Sequence, residues 1–291
     1  MGVRVRPRHV DAARAGFAMG RAGAATLARF TPDHVESTED PFDAGAWDFV
    51  WLCTSSPALV QGDWLARLCG RICEEPSDTA VVVLQPGLHD RALVGDLVGA
   101  DRLVRGMIPF SSWPGPLPGS AGPPGLRWWL PPLARVALEG PRAGALVPVL
   151  RAGGLPAGVV GEGRVDAQLA LAGGIMQPLV AALELADWSF ATVRQQGLAL
   201  PAQAARESLA VGAALDGAGP PWWSALVRPA TLGLLTRLLP AVAPFAFERF
   251  LEVHFTKVGD QTRGALDELV AEADARGLDR DGLAALRAAL P

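Results

Sequence analysis

Apolar and polar positions follow two rhythms along this chain, and the change of rhythm divides it in two. Up to about residue 108, short apolar runs separated by amphipathic stretches predict strands alternating with helices, the pattern of a parallel α/β sheet. Val3 to Val5 reads as a short strand, and His9 to Ala15 as a helix that Gly16 ends. Residues 47–53 (WDFVWLC) are apolar enough for a strand buried on both faces. A loop at Thr54 to Pro57, a helix from about Val60 to Cys73 and a strand from Ala80 to Gln85 follow, and Arg102 to Ile108 is the last strand of this half. Pro109 to Pro132 is too rich in proline for a helix and too interrupted for a central strand, so it reads as a connection wrapping the sheet edge. Arg135 to Leu138 fits a further strand and Ala143 to Gly153 a helix, after which GLPAGVV (154–160) leads out of the first domain. From about Asp166, Ala and Leu recur at i, i+3, i+4, which predicts an all-α second half with breaks at Gly217 to Pro221 and Pro240 to Pro244. The expected class is α/β followed by all-α, with domains at 1–160 and 161–291.

Composition narrows the chemistry. A chain of 291 residues, 50% hydrophobic, can bury a sizeable core without disulfides or structural metals. Lys+Arg total 26 against Asp+Glu 30, and a net charge of −4 offers no broad cationic field, so no nucleic acid is expected as partner. With no tyrosine, a phenolic acid or base is excluded. No apolar segment of a secretory leader follows MGVRVRPRHVDAARAG, and the three cysteines read as free thiols of a cytoplasmic protein. Cys69 and Cys73 share a helix face without a second pair or a histidine to complete a zinc site. The most lipid-like stretch, Ala225 to Phe247, is interrupted by Arg228, Arg237 and three prolines, so no membrane partner is expected. The apolar helices around 225–250 could serve a homodimer interface.

Few side chains form a recognisable constellation. The histidines at 9, 34, 89 and 254 have neither metal-ligand spacing nor a neighbouring nucleophile motif. Ser55 and Ser56 sit at a strand end, without the glycines of a nucleophile elbow, and read as a hydrogen-bonded turn. Gln85-Pro86-Gly87 is a turn at the carboxyl end of a strand, where open α/β sheets place ligands. Lys257 and Gln261 lie i, i+4 and would project from one helix face towards an interdomain cleft; an exposed charged face explains the same pattern. Trp128-Trp129 and Trp222-Trp223 fit core or interface packing better than ligand stacking.

Several segments, in order, resemble the ketopantoate reductase (2-dehydropantoate 2-reductase) family: VRVRPRHVDAARAGFAM, VVVLQPGLHDRALVG, VRGMIPF, GGLPAGVV and KVGDQTRGALDELVAEADARGL. The resemblance implies a Rossmann-like NADP-binding domain joined to an all-α domain, with reduction of a small 2-oxo acid in the cleft between them. It matches VRVRPRHVDAARAG to the family's second strand and the turn after it, so the first strand and its G-x-G-x-x-G loop have no counterpart, and Gly16, Gly20 and Gly23 have the wrong spacing to replace that loop. By the same resemblance Arg6, with Arg8 next, takes the place of the arginine that grips the 2′-phosphate, although a solvated arginine explains either equally. Ser55 falls where the family has a lysine, and Gln85 and Gly87 flank Pro86, which replaces an asparagine. Leu169, Gly173 and Gln177 fall on the lysine and two asparagines of the catalytic helix, and Gln261 on a substrate-binding glutamate. A leucine cannot protonate an alkoxide. The resulting expectation is a weak or inactive reductase, a pseudoenzyme in the limit, with Lys257 polarising the carbonyl and Gln261 and Gln177 holding substrate. The alternative is a non-catalytic ligand-binding or scaffold protein derived from the same family.

Overall fold

Glycine and β-branched residues set the first elements. Gly2–Val5 forms strand β1, and Gly16, at a φ of 81°, ends helix α1 (Val10–Ala15). Strands β2 (Phe17–Arg21), β3 (Ala28–Phe30), β4 (His34–Ser37) and β5 (Phe49–Leu52) come next. Helices α2 (Ser56–Leu59) and α3 (Trp64–Glu74), strand β6 (Ala80–Val83), helix α4 (Asp90–Val98) and strand β7 (Leu103–Gly106) continue the alternation. Strands β8 (Ser111–Gly115), β9 (Gly125–Trp129) and β10 (Val136–Glu139), helix α5 (Ala143–Ala152) and strand β11 (Ala157–Val159) complete the first half. The remainder is helical: α6 (Arg164–Leu185), α7 (Phe190–Gln196), α8 (Ala199–Leu215), α9 (Pro229–Val242), α10 (Phe247–Lys257), α11 (Gly259–Arg276) and α12 (Asp281–Ala289). The structure is a computed structural model, and it describes residues 1–291 apart from Ala44, Ala46, Glu75 and Pro76.

The described strands form three sheets. The central one has the order β11-β10-β7-β6-β5; β5, β6 and β7 run parallel, whereas β10 is antiparallel to β7 and carries β11 parallel to itself. The expected Rossmann-like α/β region followed by helices is therefore present, with its parallel pairing confined to each side of the β7–β10 junction. Strand β6 shows why the apolar run is legible: Ala80 and Val82 face α5 while Val81 and Val83 face α3 and α4, and all four are fully buried. β1 and β4 form a separate parallel pair, with Gly2 opposite His34. A Cβ on Gly2 would strike the Trp47 ring, so that indole packs directly against the pair.

The third sheet, β3-β2-β9-β8, corrects one sequence expectation. Residues 17–21, among the glycines whose spacing does not fit a phosphate-binding loop, form a strand in which Gly20 gives room to Leu27. The segment 109–132, expected to be irregular, supplies two strands. Pro114 is tolerated because β8 is an edge strand, and β9 between its neighbours contains no proline. Trp113 packs at tilted angles against Phe245 and Phe250 at ring distances of 4.3 and 5.2 Å, which fastens this sheet to the aromatic core of the helical half.

Helices α6 and α8 pack closely because small residues meet at their crossing. A Cβ on Gly174 would lie 2.8 Å from Leu209, and one on Gly212 would lie 2.9 Å from Ala170. From the middle of α8 the buried carboxylate of Glu207 accepts the backbone N–H groups of Gly282 and Leu283 at 3.0 and 2.8 Å, which caps the start of α12. Glu207→Ala should therefore cost about 2 kcal/mol of stability by orphaning those donors, read as a lowered midpoint in denaturant, with Glu207→Gln recovering part of the loss. An unchanged midpoint would show that water replaces the cap.

Candidate active site in the interdomain cleft

The carboxyl ends of β5 and β6 are tied together by one side chain. Gln85 is buried; its Nε2 donates to the carbonyls of Leu52 and Thr54 at 2.6 and 3.0 Å, and its Oε1 accepts the N–H of Leu84 at 3.1 Å. The amide is thereby committed to backbone. The turn continues through Pro86 and Gly87, whose N–H donates to the buried Asp90 carboxylate at 2.9 Å; Ser56 donates its hydroxyl to the same oxygen at 2.6 Å. A side chain at Gly87 would fall on that carboxylate, which explains the glycine.

A cleft of about 990 Å³ opens beside this turn, between α4, β7 and β10 on one side and α6, α8 and α11 on the other. Four charged side chains bridge its floor. Arg105 of β7 pairs with Glu139 of β10 and, at 3.1 Å, with Asp166 in the first turn of α6. Arg91 of α4 pairs with the other oxygen of Asp166. Glu139 also accepts the N–H groups of Gly163 and Val165 at 3.0 and 3.3 Å, so carboxylates sit where the α6 dipole and its free amides favour negative charge. Burial, and next the neighbouring Arg105, push the Arg91 pKa down. Higher on the wall, His89 Nε2 lies 3.1 Å from Glu272 of α11. Glu268, one turn earlier on α11, has its pKa raised by burial and then by Asp90, with Glu272 adding to the rise and His89 and the Leu88 N–H opposing it.

The residues singled out in the sequence are distributed unequally. Gln177 and Gly87 line the cleft together with Leu169 and Gly173, so the face of α6 that the resemblance pointed to is a wall of it. Gln177 Oε1 is buried there without a donor among the described residues. Gln85 lies directly behind the turn. Ser55 is exposed at the end of β5, and its carbonyl accepts the N–H of Ala58. Arg6 is exposed after β1, where its carbonyl accepts the N–H of His9. Lys257 is exposed at the end of α10 and Gln261 half-buried at the start of α11, both outside the cleft lining. They do not sit on one continuous helix, because the backbone breaks at Val258 (φ −118°, ψ 28°). Sequence reasoning passed over Arg91, Arg105, Glu139, Asp166 and His89; the one local signal was a lone arginine inside the apolar strand LVRG.

No family model matches the chain, and no curated protein matches it significantly. Solved structures do. A PanE/ApbA family ketopantoate reductase from Ralstonia eutropha JMP134 matches with TM-score 0.63 and 17% identity over 99% of this chain and 96% of that one. The chain has the fold of the ketopantoate reductases. The 2-dehydropantoate 2-reductase of Geobacter metallireducens GS-15 gives TM-score 0.64 and 18% identity, covering 99% and 90% of the two chains. D-mandelate dehydrogenase, in a structure with NADH and anilino(oxo)acetate, gives 0.67 and 14% over 99% and 88%.

A dinucleotide on a ketopantoate reductase fold needs backbone N–H groups around its pyrophosphate. Among the described residues the turn after β1 is Arg6-Pro7-Arg8-His9, without glycine and with proline removing one N–H, so this turn does not fit that role. The turn of β6 and the cleft beside it stand where a reacting end would lie.

The floor network should be strongly coupled. Glu139→Ala leaves Arg105 and the start of α6 short of an acceptor and should lower stability by about 3 kcal/mol, whereas the pair Glu139→Ala with Arg105→Met should recover part of that loss. Equal losses for single and double variants in a denaturation series would refute the coupling. For Glu268 the folded-state pKa is raised, so the folded protein holds the proton more tightly and stability falls as pH rises through that window. Glu268→Gln should raise Tm at neutral pH, and the gain should vanish below the ordinary carboxylate range; a gain that persists at low pH would point to packing instead.

Proposed function

We propose that this chain is a divergent member of the ketopantoate reductase family, an oxidoreductase that uses a nicotinamide dinucleotide to reduce the carbonyl of a small 2-oxo acid in the cleft. The observation that carries this reading is the coincidence of a fold match along 99% of the chain with a cleft walled by Pro86, Leu169, Gly173 and Gln177, the positions at which the resemblance places the family's polar site groups. When bound, the reduced nicotinamide would supply hydride; NADP is the form that the resemblance favours.

The chain's own residues then have limited roles. Gln177 offers an amide to substrate from the α6 wall. With leucine at 169, the proton must come from elsewhere, and His89 is a donor on the cleft wall, oriented by its 3.1 Å contact with Glu272. Lys257 and Gln261, both outside the cleft lining, take no part in this scheme. Catalysis is consequently slow in this proposal, and the protein works in the cytoplasm, with a homodimer as its assembly.

The test is oxidation of NADPH and of NADH by the purified chain with 2-oxoisovalerate and ketopantoate. Slow turnover is expected with at least one pair, with kcat reduced about 100-fold by His89→Ala and a smaller loss in His89→Gln. The assignment fails if neither dinucleotide binds and no 2-oxo acid is reduced; it loses its proton donor alone if turnover persists unchanged in His89→Ala.

A further inference from the structure

We propose that Arg91 is the residue that selects a carboxylate-bearing substrate in this cleft, the free Nε–Nη2 edge of its guanidinium gripping both oxygens of the acid. The assignment rests on the proposed reading of the cleft as the site of a 2-oxo acid and adds to it the group that recognises the acid.

A guanidinium has five N–H donors in a planar fork, and each of two edges, Nη1 with Nη2 and Nε with Nη2, matches a carboxylate. Among the described residues the cleft lining holds two such side chains, Arg91 and Arg105. Arg105 is used at both ends, Nη1 on Asp166 at 3.1 Å and Nη2 on Glu139. Arg91 touches Asp166 with Nη1 alone. That nitrogen is buried without a hydrogen bond of its own, and it is the one nitrogen of Arg91 in that condition. Nε and Nη2 also hydrogen-bond nothing among the described residues, so they are the donors that solvent still reaches. The side chain is 14% exposed and lines the cleft, so a ligand there meets this edge.

The acids around Arg91 leave the edge vacant. Glu139 is spent on Arg105 and two backbone amides, and Asp90 on the Gly87 N–H and the Ser56 hydroxyl. Asp216 acts on Arg91 through charge from an exposed position after α8, where salt screens it. A guanidinium largely removed from water with donors unfilled is costly, and an anion on the free edge offsets that cost. The lowered pKa of Arg91, set by burial and then by Arg105, agrees with a cation short of compensation. Position supports the same role. Arg91 stands in the first turn of α4, next to the Asp90 that clamps the turn of β6, and is thus presented from the carboxyl end of a parallel strand. An ester or amide offers the fork less charge and one good acceptor, so the acid is preferred.

The experiment is a ligand-observed NMR titration of the full chain with isovalerate and with its neutral methyl ester. Isovalerate should bind saturably, and the ester about 30-fold more weakly. Arg91→Lys keeps a cation beside Asp166 but loses the fork, and should weaken isovalerate about tenfold with Tm little changed; Arg91→Met should weaken it further. Absence of saturable isovalerate binding, equal affinity for acid and ester, or an isovalerate affinity unchanged in Arg91→Lys would each overturn the assignment, and the lysine variant decides should Arg91→Met not fold. In NAD(P)H oxidation the same substitution should raise KM for 2-oxoisovalerate with kcat little changed. Turnover with KM unchanged in Arg91→Lys removes the anchor and leaves the reductase, whereas isovalerate binding that depends on Arg91 without turnover of any 2-oxo acid removes the reductase and leaves the anchor.

Discussion

The contact on which the rest of this molecule depends is the partly buried ion network of Arg91, Arg105, Glu139 and Asp166. It is the polar junction between the central sheet and the long helix α6. Two carboxylates placed at a helix N-terminus gain from the aligned peptide dipoles, and Glu139 gains also from the free amides of Gly163 and Val165. Two guanidiniums from β7 and α4 then neutralise them. Ion pairs taken out of water are not strongly stabilising in themselves, but removing one member leaves an uncompensated charge, which makes the arrangement nearly all-or-none. The junction therefore fixes where α6 begins, and through α6 the positions of Leu169, Gly173 and Gln177 along one wall of the cleft.

Small residues carry that positioning further. Gly174 and Gly212 let α8 lie against α6, which brings Ser208 into the same cavity. The backbone geometry of the cleft is set by the ion junction and by these close approaches, neither of which involves a reacting side chain. A fold of this kind can consequently retain the shape of a reductase cleft while the groups on its walls change, and shape alone does not assign the chemistry. Here the cations are used in holding the two halves together.

What could be read from the sequence follows from how local each signal is. β6 and the helices from α6 onward were legible because burial repeats at short, regular spacing, as in Ala80 to Val83. Residues 17–37 and 109–132 were not, because β2 and β9 pair in parallel across more than a hundred residues of sequence, Met19 opposite Leu126, and neither has an apolar run of its own. Pro114 and the many glycines signalled a loop, and only membership of an edge strand reconciles them with a sheet. At the site, Gln177 and Gly87 emerged from a resemblance along contiguous segments. Arg91, Arg105 and Asp166 belong to three separate elements, and no spacing rule links them. Lys257 and Gln261 illustrate the reverse error: helical spacing predicted one face, and a single residue, Val258, breaks the helix between them.

The two polar links across the cleft differ in what they allow. The floor network joins permanent guanidinium charges to two carboxylates, one of which, Glu139, is also held by backbone amides. The upper link, His89 to Glu272, is half-exposed on its histidine side and joins the turn after β6 to α11. It is an ion pair when the imidazole is protonated and a neutral hydrogen bond otherwise. The clasp thus joins the two walls through one partly exposed pair, while the floor network holds their alignment from below.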